Sequence, residues 1–295
     1  MDVININKLY KNFGKKEVLK DINLNVEEGK IYGLFGKNGA GKTTLIKIIL
    51  GLYFPTSGEV YVFGKNPSKG GMKEIGYLSE NLAGYFELSA YDNIDIVAKM
   101  QGIKLRREEI FQILNMVKLK EAAEKRVKDF SLGMKRRLQL TFALCLGEKR
   151  LIILDEPTNG LDIEGVAWFK GKIKEMKKEG KTIFISTHAF REAEDIIDEF
   201  IIIHKGEIKK RGCISELESK NKKLVEVRVE DVIAFESLLN SLRISFVRKH
   251  LSGFIVEEKE NVNLIEEMVK RKIEIQRLET YKESLEQIFE TLTKE

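Results

Sequence analysis

The first feature that could do chemistry is a glycine-rich segment at residues 36–44. It reads GKNGAGKTT and fits the pattern G-x-x-x-x-G-K-[ST]. It follows the apolar run 31–35 and precedes a helical pattern, which we predict over residues 43–50. In such a turn, backbone N–H groups and the positive end of the helix dipole bind phosphate. The segment therefore predicts a nucleoside triphosphate site made of Gly36, Lys37, Asn38, Gly39, Ala40, Gly41, Lys42, Thr43 and Thr44.

Two adjacent carboxylates, Asp155 and Glu156, follow the apolar run 151–154. Open α/β sheets bind ligands at the carboxyl ends of their strands. We expect Lys42 to reach the β- and γ-phosphates, Thr43 and Asp155 to bind magnesium, and Glu156 to orient and deprotonate the attacking water. An apolar strand that ends in Asp-Glu can also be a plain strand terminus that meets solvent. The glycine-rich segment favours the catalytic interpretation.

Composition limits the class of protein. The 295 residues include 51 Lys and Arg against 46 Asp and Glu, and 33% of the chain is charged, which is typical of a globular protein and excludes disorder. No stretch approaches the roughly 20 apolar residues that cross a bilayer, and the opening lacks the layout of a signal peptide. We expect a cytosolic protein that cannot itself form a channel. Residues 218–295 carry 14 basic against 16 acidic residues, so this region has no nucleic-acid-binding charge pattern.

The elements that position these residues indicate an α/β domain over residues 1–217. Alternation at residues 3–6 and 22–26 predicts a small antiparallel sheet. Residues of about 81–147 are almost wholly helical and predict a helical subdomain. The remaining pattern has the βαβ rhythm of a parallel sheet, with strands predicted at 31–35, 151–154, 182–186 and 200–204 and helices at 165–178 and 190–197.

Residues 218–295 predict a separate, small α+β domain. Its pattern is βαββαβ followed by a final helix, with elements at 224–229, 232–242, 244–249, 254–257, 262–272 and 273–278. Leu285, Ile288, Phe289 and Leu292 form one apolar stripe on the final helix, which indicates packing against a sheet. Nothing in this region nominates a ligand.

A third motif, FSLGMKRR at residues 130–137, resembles the signature of the nucleotide-binding subunit of ABC transporters, whose usual core is LSGGQ. Ser131 and Gly133 match the positions that contact the γ-phosphate in that family, while Leu132 and Met134 replace a glycine and the glutamine. In the family, this helix terminus faces the nucleotide of the opposite subunit. The resemblance thus implies a homodimer with ATP at the interface, in which each chain holds two half-sites.

Other positions carry over from the same resemblance. Phe13 resembles the aromatic residue that stacks on adenine, with Tyr10 as the nearby alternative. Asp162 lies in a segment that resembles the loop crossing the dimer interface, and His188 resembles the switch histidine that contacts the γ-phosphate. Glu80 stands where the family usually has glutamine, so the resemblance implies that it binds magnesium and the nucleotide near the γ-phosphate.

The resemblance spans about residues 2–217 and implies a P-loop NTPase of the ABC cassette type, with a mixed sheet and a helical subdomain. It implies an ATP-hydrolysing subunit that uses ATP and magnesium. The SLGM signature, Glu80 and the tail at residues 284–289 are most similar to the branch concerned with efflux of bacteriocins, peptide antibiotics or sodium. The resemblance therefore implies an exporter of a peptide antibiotic, a drug or an ion. A separate transmembrane permease is implied, docked near residues 80–100 with Tyr85 and Phe86 as contacts, so we expect the protein on the cytoplasmic face of the membrane.

Two alternatives stay open at this point. One is a soluble ABC ATPase that acts on ribosomes or DNA, but the single cassette and the 88 residues between Lys42 and Ser131, which lack sustained heptads, favour a transporter without a nucleic-acid partner. The other is a regulatory module in which ATP binding matters more than turnover. The presence of Asp155, Glu156 and His188 argues against it.

Overall fold

The computed structural model describes residues 2–69, 72–221, 224–249, 252–257, 263–281 and 284–293. The chain divides into two compact units. The first comprises Met1–Gly212 with Leu292–Glu295, and the second comprises Cys213–Thr291. The predicted boundary after residue 217 falls within a helix, Ile214–Asn221, which belongs to the second unit.

The first unit contains two sheets and a group of helices. In chain order its elements are β1 (Asp2–Phe13), β2 (Lys16–Glu27), β3 (Ile31–Phe35), α1 (Lys42–Ile49), β4 (Ser57–Val62), β5 (Ile75–Leu78), α2 (Ala90–Met100), α3 (Arg107–Met116), α4 (Leu132–Leu144), β6 (Leu151–Asp155), α5 (Ile163–Lys178), β7 (Thr182–Thr187), α6 (Phe190–Ala193), β8 (Glu199–His204) and β9 (Glu207–Cys213).

The larger sheet has the strand order β5-β6-β7-β3-β8-β9. Its central strands β3, β6 and β7 are buried along their whole length, as expected for parallel strands whose two faces are both covered. The register aligns Asp155 with Ser186 and Phe35 with Thr187, so the carboxyl ends of these three strands lie side by side. This edge carries the glycine-rich segment and both adjacent carboxylates.

The smaller sheet, in the order β2-β1-β4, is antiparallel. Its inward side chains alternate with exposed ones, which gives the period of two seen in the sequence. Ile4, Leu9, Leu19 and Ile22 are fully buried in the core of the first unit. Together the two sheets form the mixed α/β architecture predicted from the sequence.

Helices α2, α3 and α4 share a separate apolar core within residues 90–146, in the region predicted to be helical. One helix of the first unit is shorter than predicted. Helix α6 ends at Ala193 rather than at Ile197, because Ile196 and Ile197 are buried and the chain then turns into β8. The Asp198 carboxylate accepts a hydrogen bond from the Ile31 amide (2.9 Å), which fixes that turn.

The second unit follows the order α7 (Ile214–Asn221), β10 (Leu224–Val229), α8 (Val232–Ser241), β11 (Phe246–Arg248), β12 (Gly253–Glu257), α9 (Leu264–Lys270), β13 (Ile275–Thr280) and α10 (Leu285–Thr293). Its antiparallel sheet has the order β11-β12-β10-β13. Phe235, Leu238, Phe254 and Met268 form the centre of its core. Val262, the first residue predicted for α9, lies outside the described residues. In the part of the chain that the structure describes, no helix is long and apolar enough to cross a membrane.

Candidate active site

The glycine-rich segment forms a tight turn between β3 and α1. Gly39 and Gly41 have φ values of 81° and 111°, which L side chains rarely adopt, so glycine is required at both positions. A Cβ atom on Gly36 would lie 2.5 Å from the Ile203 carbonyl oxygen, because the turn packs closely against β8. Lys42 is 6% exposed, and its Nζ donates to the Gly36 carbonyl (2.6 Å). The turn therefore places a buried ammonium group beside the N-terminus of α1.

An open cleft of about 770 Å³ lies over this turn. The Phe13 ring is 45% exposed and lines the cleft, whereas Tyr10 is not among the lining residues. Three lysines that the sequence analysis did not single out, Lys16, Lys20 and Lys205, add to Lys37 and Lys42 and give the cleft a basic rim, which suits a polyphosphate. The lining residues are Phe13, Lys16, Glu17, Val18, Lys20, Lys37, Asn38, Gly39, Gly41, Lys42, Thr43, Thr44, Glu80, Glu156, Lys205 and Gly206.

Asp155 is fully buried at the end of β6, with both of its carboxylate oxygens engaged. Its Oδ2 accepts a hydrogen bond from the Thr43 hydroxyl (2.8 Å), and its Oδ1 accepts one from the Ser186 hydroxyl. The structure thus brings together Thr43 and Asp155, two of the three residues predicted to bind magnesium, while the third, Glu80, lines the cleft. Ser186 was not predicted as a site residue, although its position near the end of an apolar strand was a usable signal.

Glu156 is 3% exposed and has a φ of 50°, a conformation that is strained for a residue with a side chain. Its Oε1 lies 3.2 Å from Lys42 Nζ, and its Oε2 lies 2.9 Å from His188 Nδ1. The His188 amide also donates to Oε2 (3.3 Å). Within the described residues, Oε1 accepts no hydrogen bond. The predicted catalytic residues Lys42, Glu156 and His188 therefore meet at one point.

Arg136 is a component of the site that the sequence analysis missed. Its guanidinium is 1% exposed and lies directly behind the two carboxylates. Burial lowers the pKa of Arg136, and the charges of Asp155, Glu156 and Glu80 oppose that shift. Its Nη1 donates to the Glu80 carbonyl (3.3 Å), so one side chain contacts both the Glu80 segment and the end of β6.

The remaining predicted residues form a second group outside the cleft. Ser131 is the N-cap of α4, and its Oγ accepts a hydrogen bond from the Met134 amide (3.2 Å). Asp162 is the N-cap of α5 and pairs with Arg137, which projects from α4. A Cβ atom on Gly133 would lie 3.0 Å from the Gly160 carbonyl. Ser131, Gly133 and Asp162 thus lie close to one another, but none of them lines the cleft.

A phosphate-binding turn, a buried lysine and a carboxylate pair at one edge of a parallel sheet define a P-loop nucleoside triphosphatase. Comparison with known proteins gives the family. The family model described as "ABC transporter" matches residues 19–159. The bacitracin transport ATP-binding protein BcrA of Enterococcus faecalis is 38% identical over 260 residues, which are 87% of this chain and 82% of that protein.

Two further relatives agree. The lantibiotic transport ATP-binding protein SrtF of Streptococcus pyogenes is 41% identical over 70% of this chain and 89% of its own length. The uncharacterized ABC transporter ATP-binding protein YdbJ of Bacillus subtilis is 37% identical over 97% of this chain and 94% of its own length. The chain belongs to the ABC transporter family, and it is an ATP-binding subunit that hydrolyses ATP.

Solved structures support the same assignment. An ATP-binding subunit of an ABC transporter matches with a TM-score of 0.66 and 29% identity, over 74% of this chain and 92% of that one. A dimeric bacterial ABC transporter cassette matches with a TM-score of 0.66 and 25% identity, over 72% of this chain and 98% of that one. The predicted fold class is therefore confirmed.

Proposed function

We propose that this chain powers a separate membrane permease that exports a peptide antibiotic, and that its working form is a homodimer with ATP at the interface. The observation that supports ATP hydrolysis as the source of power is the position of Glu156, which is held between Lys42 and His188. One of its carboxylate oxygens accepts no hydrogen bond from the described residues. The names of the bacitracin and lantibiotic transport relatives support a peptide antibiotic as the cargo. A drug or an ion is the alternative cargo.

The geometry supports a simple hydrolytic step. The phosphates of ATP bind the N–H groups of the glycine-rich turn, and phosphate oxygens replace the Gly36 carbonyl as the partner of Lys42. Glu156 Oε1 orients a water and accepts its proton as the water oxygen attacks the γ-phosphorus and the bond to the β-phosphate breaks. His188, whose side chain is 48% exposed, contacts Glu156 Oε2, and Glu156 lines the cleft, which supports a role for His188 beside the γ-phosphate.

The residues present fit a magnesium ion. Thr43 Oγ1 and Asp155 Oδ2 are hard oxygen donors 2.8 Å apart at the mouth of the turn, and Glu80 lines the same cleft. Magnesium takes few protein ligands and completes its shell with waters and substrate phosphates. When bound there with ATP, it would neutralise charge on the β- and γ-phosphates. Thr43 and Asp155 are the residues that we expect to hold it.

The second group of residues supports the dimer. Ser131, Gly133 and Asp162 stand outside the cleft of their own chain, at the exposed N-termini of two helices that could bind an anion. A two-fold dimer would bring this group against the nucleotide of the partner. The match to a dimeric bacterial cassette supports this arrangement.

A mixing experiment tests the dimer. Ser131→Ala and Glu156→Gln each damage both composite sites of a homodimer. A mixed dimer keeps one intact site, which combines the cleft of the Ser131→Ala chain with the helix start of the Glu156→Gln chain. We expect the mixture to hydrolyse ATP faster than either variant alone. Activity equal to the average of the two variants would contradict a shared site.

The permease would dock near residues 80–100, on the cytoplasmic face of the membrane. Tyr85 and Phe86 are 46% and 37% exposed there, and Met100 is 73% exposed. The Tyr85 backbone is held by Asn93, whose Oδ1 accepts from the Tyr85 amide (2.7 Å), so the exposed ring projects from a fixed loop. Apolar side chains on a fixed surface suit contact with another protein.

The transport proposal is tested by copurifying the chain with the membrane protein encoded beside it. ATPase activity of the complex in lipid vesicles is measured with a panel of peptide antibiotics, drugs and sodium, and with Glu156→Gln as the control. Stimulation by one compound, lost in the variant, would support a coupled exporter and name its cargo. A response to ribosomes or DNA without an associated membrane protein would overturn the proposal.

A further inference from the structure

The Arg136 side chain connects three segments of the first unit. It projects from α4 and contacts both the loop after β5 and the end of β6. Its hydrogen bonds to backbone oxygens fall into two sets, one beyond the end of β5 and one at the end of β6. The acceptors are the carbonyls of Ser79 (2.8 Å), Glu80 (3.3 Å), Asp155 (2.9 Å), Glu156 (2.5 Å) and Pro157 (3.4 Å). The side-chain oxygen of Gln139 also accepts from Nη1 (3.4 Å).

These hydrogen bonds hold the backbone of Glu156 and of the residues on either side of it. The Glu156 amide donates to the Ser186 carbonyl (2.9 Å), and the Glu156 carbonyl accepts from Arg136, so both sides of this strained residue are held. A left-handed conformation at a residue with a side chain persists only where its surroundings enforce it. The Asn159 amide also donates to the Glu156 carbonyl (3.2 Å), so Arg136 is one of three groups in hydrogen-bond contact with this backbone and the one that does so through a side chain.

Arg136 also projects from α4, whose first turn is capped by Ser131. A shift of the start of this helix would therefore move a side chain that is hydrogen-bonded to the end of β6 and to the Glu80 segment. Leu132 contributes a second link, because a Cβ atom on Gly160 would lie 2.9 Å from the Leu132 side chain. The helix start is thus in direct contact with the segment that follows Glu156.

Arg136 also offsets part of the negative charge of the site. Asp155, Glu156 and Glu80 are the carboxylates whose charges act on Arg136, and the first two are almost fully buried. The Lys42 ammonium and the Arg136 guanidinium are the buried cations beside them. An arginine keeps its charge when it is buried, and its planar fork can bond several carbonyls at once.

We propose that Arg136 is a positioning residue for ATP hydrolysis, which holds Glu156 in its catalytic position and links that position to the start of α4. The link to the helix start rests on the proposed dimer, in which that helix meets the nucleotide of the partner chain. The positioning of Glu156 does not depend on the dimer or on the cargo. Arg136 is not among the residues that line the cleft and its hydrogen bonds go to backbone carbonyls, so it acts through the backbone.

The test compares Arg136→Gln and Arg136→Lys with wild type in the purified full-length chain. We expect Arg136→Gln to lower kcat by about 10- to 100-fold while KM and the Kd for ATP change by less than about threefold, because the phosphate-binding turn is untouched. Lysine keeps the charge but cannot span five carbonyls, so its kcat should lie between those of Arg136→Gln and wild type. Arg150→Gln is the control, since the Arg150 side chain is half-exposed, pairs with Glu28 and Glu74 at the surface and lies over the Phe63 ring, away from the residues that line the cleft.

A double-mutant cycle with Glu80→Gln tests the charge balance. Removal of Arg136 leaves Lys42 as the one buried cation that the structure describes beside these three carboxylates, and neutralising Glu80 relieves part of their repulsion. We therefore expect Arg136→Gln/Glu80→Gln to have a higher kcat than the product of the two single effects predicts. Strictly multiplicative effects would remove the charge role from the proposal.

Two outcomes would overturn the positioning role. One is an unchanged kcat in Arg136→Gln. The other is a parallel loss of kcat, ATP affinity and melting temperature, which would mean that Arg136 only supports the fold. If Arg136→Gln does not fold, the kcat and Kd of Arg136→Lys decide between these outcomes. Activity of the wild-type chain with its permease tests the proposed function separately, because the positioning role is measured as a ratio between variant and wild type.

Discussion

Two buried glutamates lie at opposite ends of the same parallel sheet, and they are built in opposite ways. Glu156 follows the carboxyl end of β6, has a strained backbone, and leaves Oε1 without a hydrogen bond from the described residues. Glu199 begins β8 at the amino end of the sheet. Its Oε1 accepts from Lys30 Nζ (2.8 Å), and its Oε2 accepts from Arg211 Nη2 (2.7 Å). Both side chains are less than 10% exposed.

The difference distinguishes a reactive carboxylate from a structural one. Burial alone would raise the pKa of Glu199, but hydrogen bonds from Lys30 and Arg211 hold it below its ordinary value. Each carboxylate oxygen of Glu199 accepts a hydrogen bond from a neighbouring side chain, so neither oxygen is available to a substrate. Glu156 has a strained backbone and an oxygen that accepts no hydrogen bond from the described residues, and such features cluster at functional sites. Burial and charge alone would not separate the two.

The largest expected effect tests the reactive end. Glu156→Gln should lower kcat by about 100- to 10,000-fold, because an amide cannot accept the proton of the attacking water. Its free energy of unfolding should change by less than about 1 kcal/mol, because the isosteric side chain keeps the packing and Lys42 keeps its hydrogen bond to the Gly36 carbonyl. ATPase assays and urea denaturation measure the two quantities. The control is Glu59→Gln, an exposed glutamate on β4.

Glu199→Gln should show the reverse pattern. Lys30 and Arg211 would lose their common partner, and we expect the free energy of unfolding to fall by about 1 to 3 kcal/mol. The kcat for ATP should stay within about twofold of wild type, because the cleft lies at the other end of the strands. A large loss of kcat with unchanged stability would contradict the assignment of Glu199 to a structural role.

The pH dependence of stability sharpens the comparison further. A carboxylate whose pKa is lowered in the folded state stabilises the protein above its unfolded pKa, and this contribution is lost as the pH falls through the folded value. For Glu199, whose ordinary pKa is 4.5, the contribution should be complete near pH 6 and decline below about pH 4.5. The stability difference between wild type and Glu199→Gln should therefore shrink as the pH is lowered from 6 to 3.5. A difference that is constant over this range would show that packing, not charge, is responsible.

The reactive end of the sheet could largely be predicted from the sequence, because its residues lie in short continuous motifs. The turn after β3 and the Asp155-Glu156 pair each follow an apolar strand, and parallel strands bring such ends to one edge. The N-cap position of Ser131 could be predicted for the same reason, since a cap is defined by its immediate neighbours.

The features that could not be predicted from the sequence depend on contacts between segments that are far apart in the chain. Arg136 is separated from the Ser79 carbonyl by 57 residues, and Lys30 from Glu199 by 169. No local sequence pattern distinguishes Arg136 or Glu199 from the many charged residues that lie on a protein surface. The premature end of α6 has a similar origin, because Asp198 is held by the backbone of β3 rather than by its own helix. Tertiary contacts of this kind override local propensity.

The smallest effect is expected for Tyr32→Phe, at the structural end. The Tyr32 hydroxyl is buried, accepts from the Glu27 amide (2.9 Å) and donates to Glu199 Oε1 (3.4 Å). Phenylalanine keeps the packing but leaves the Glu27 amide without this acceptor, so the free energy of unfolding should fall by about 1 kcal/mol with an unchanged kcat. Denaturation of Tyr32→Phe, Glu199→Gln and the double variant gives the coupling between the two side chains. Because the bond between them is long and Glu199 has stronger partners, the coupling should be below about 0.5 kcal/mol. A larger coupling energy would show that the stabilising effect of Glu199 depends on Tyr32, and that the ion pairs with Lys30 and Arg211 alone do not account for it.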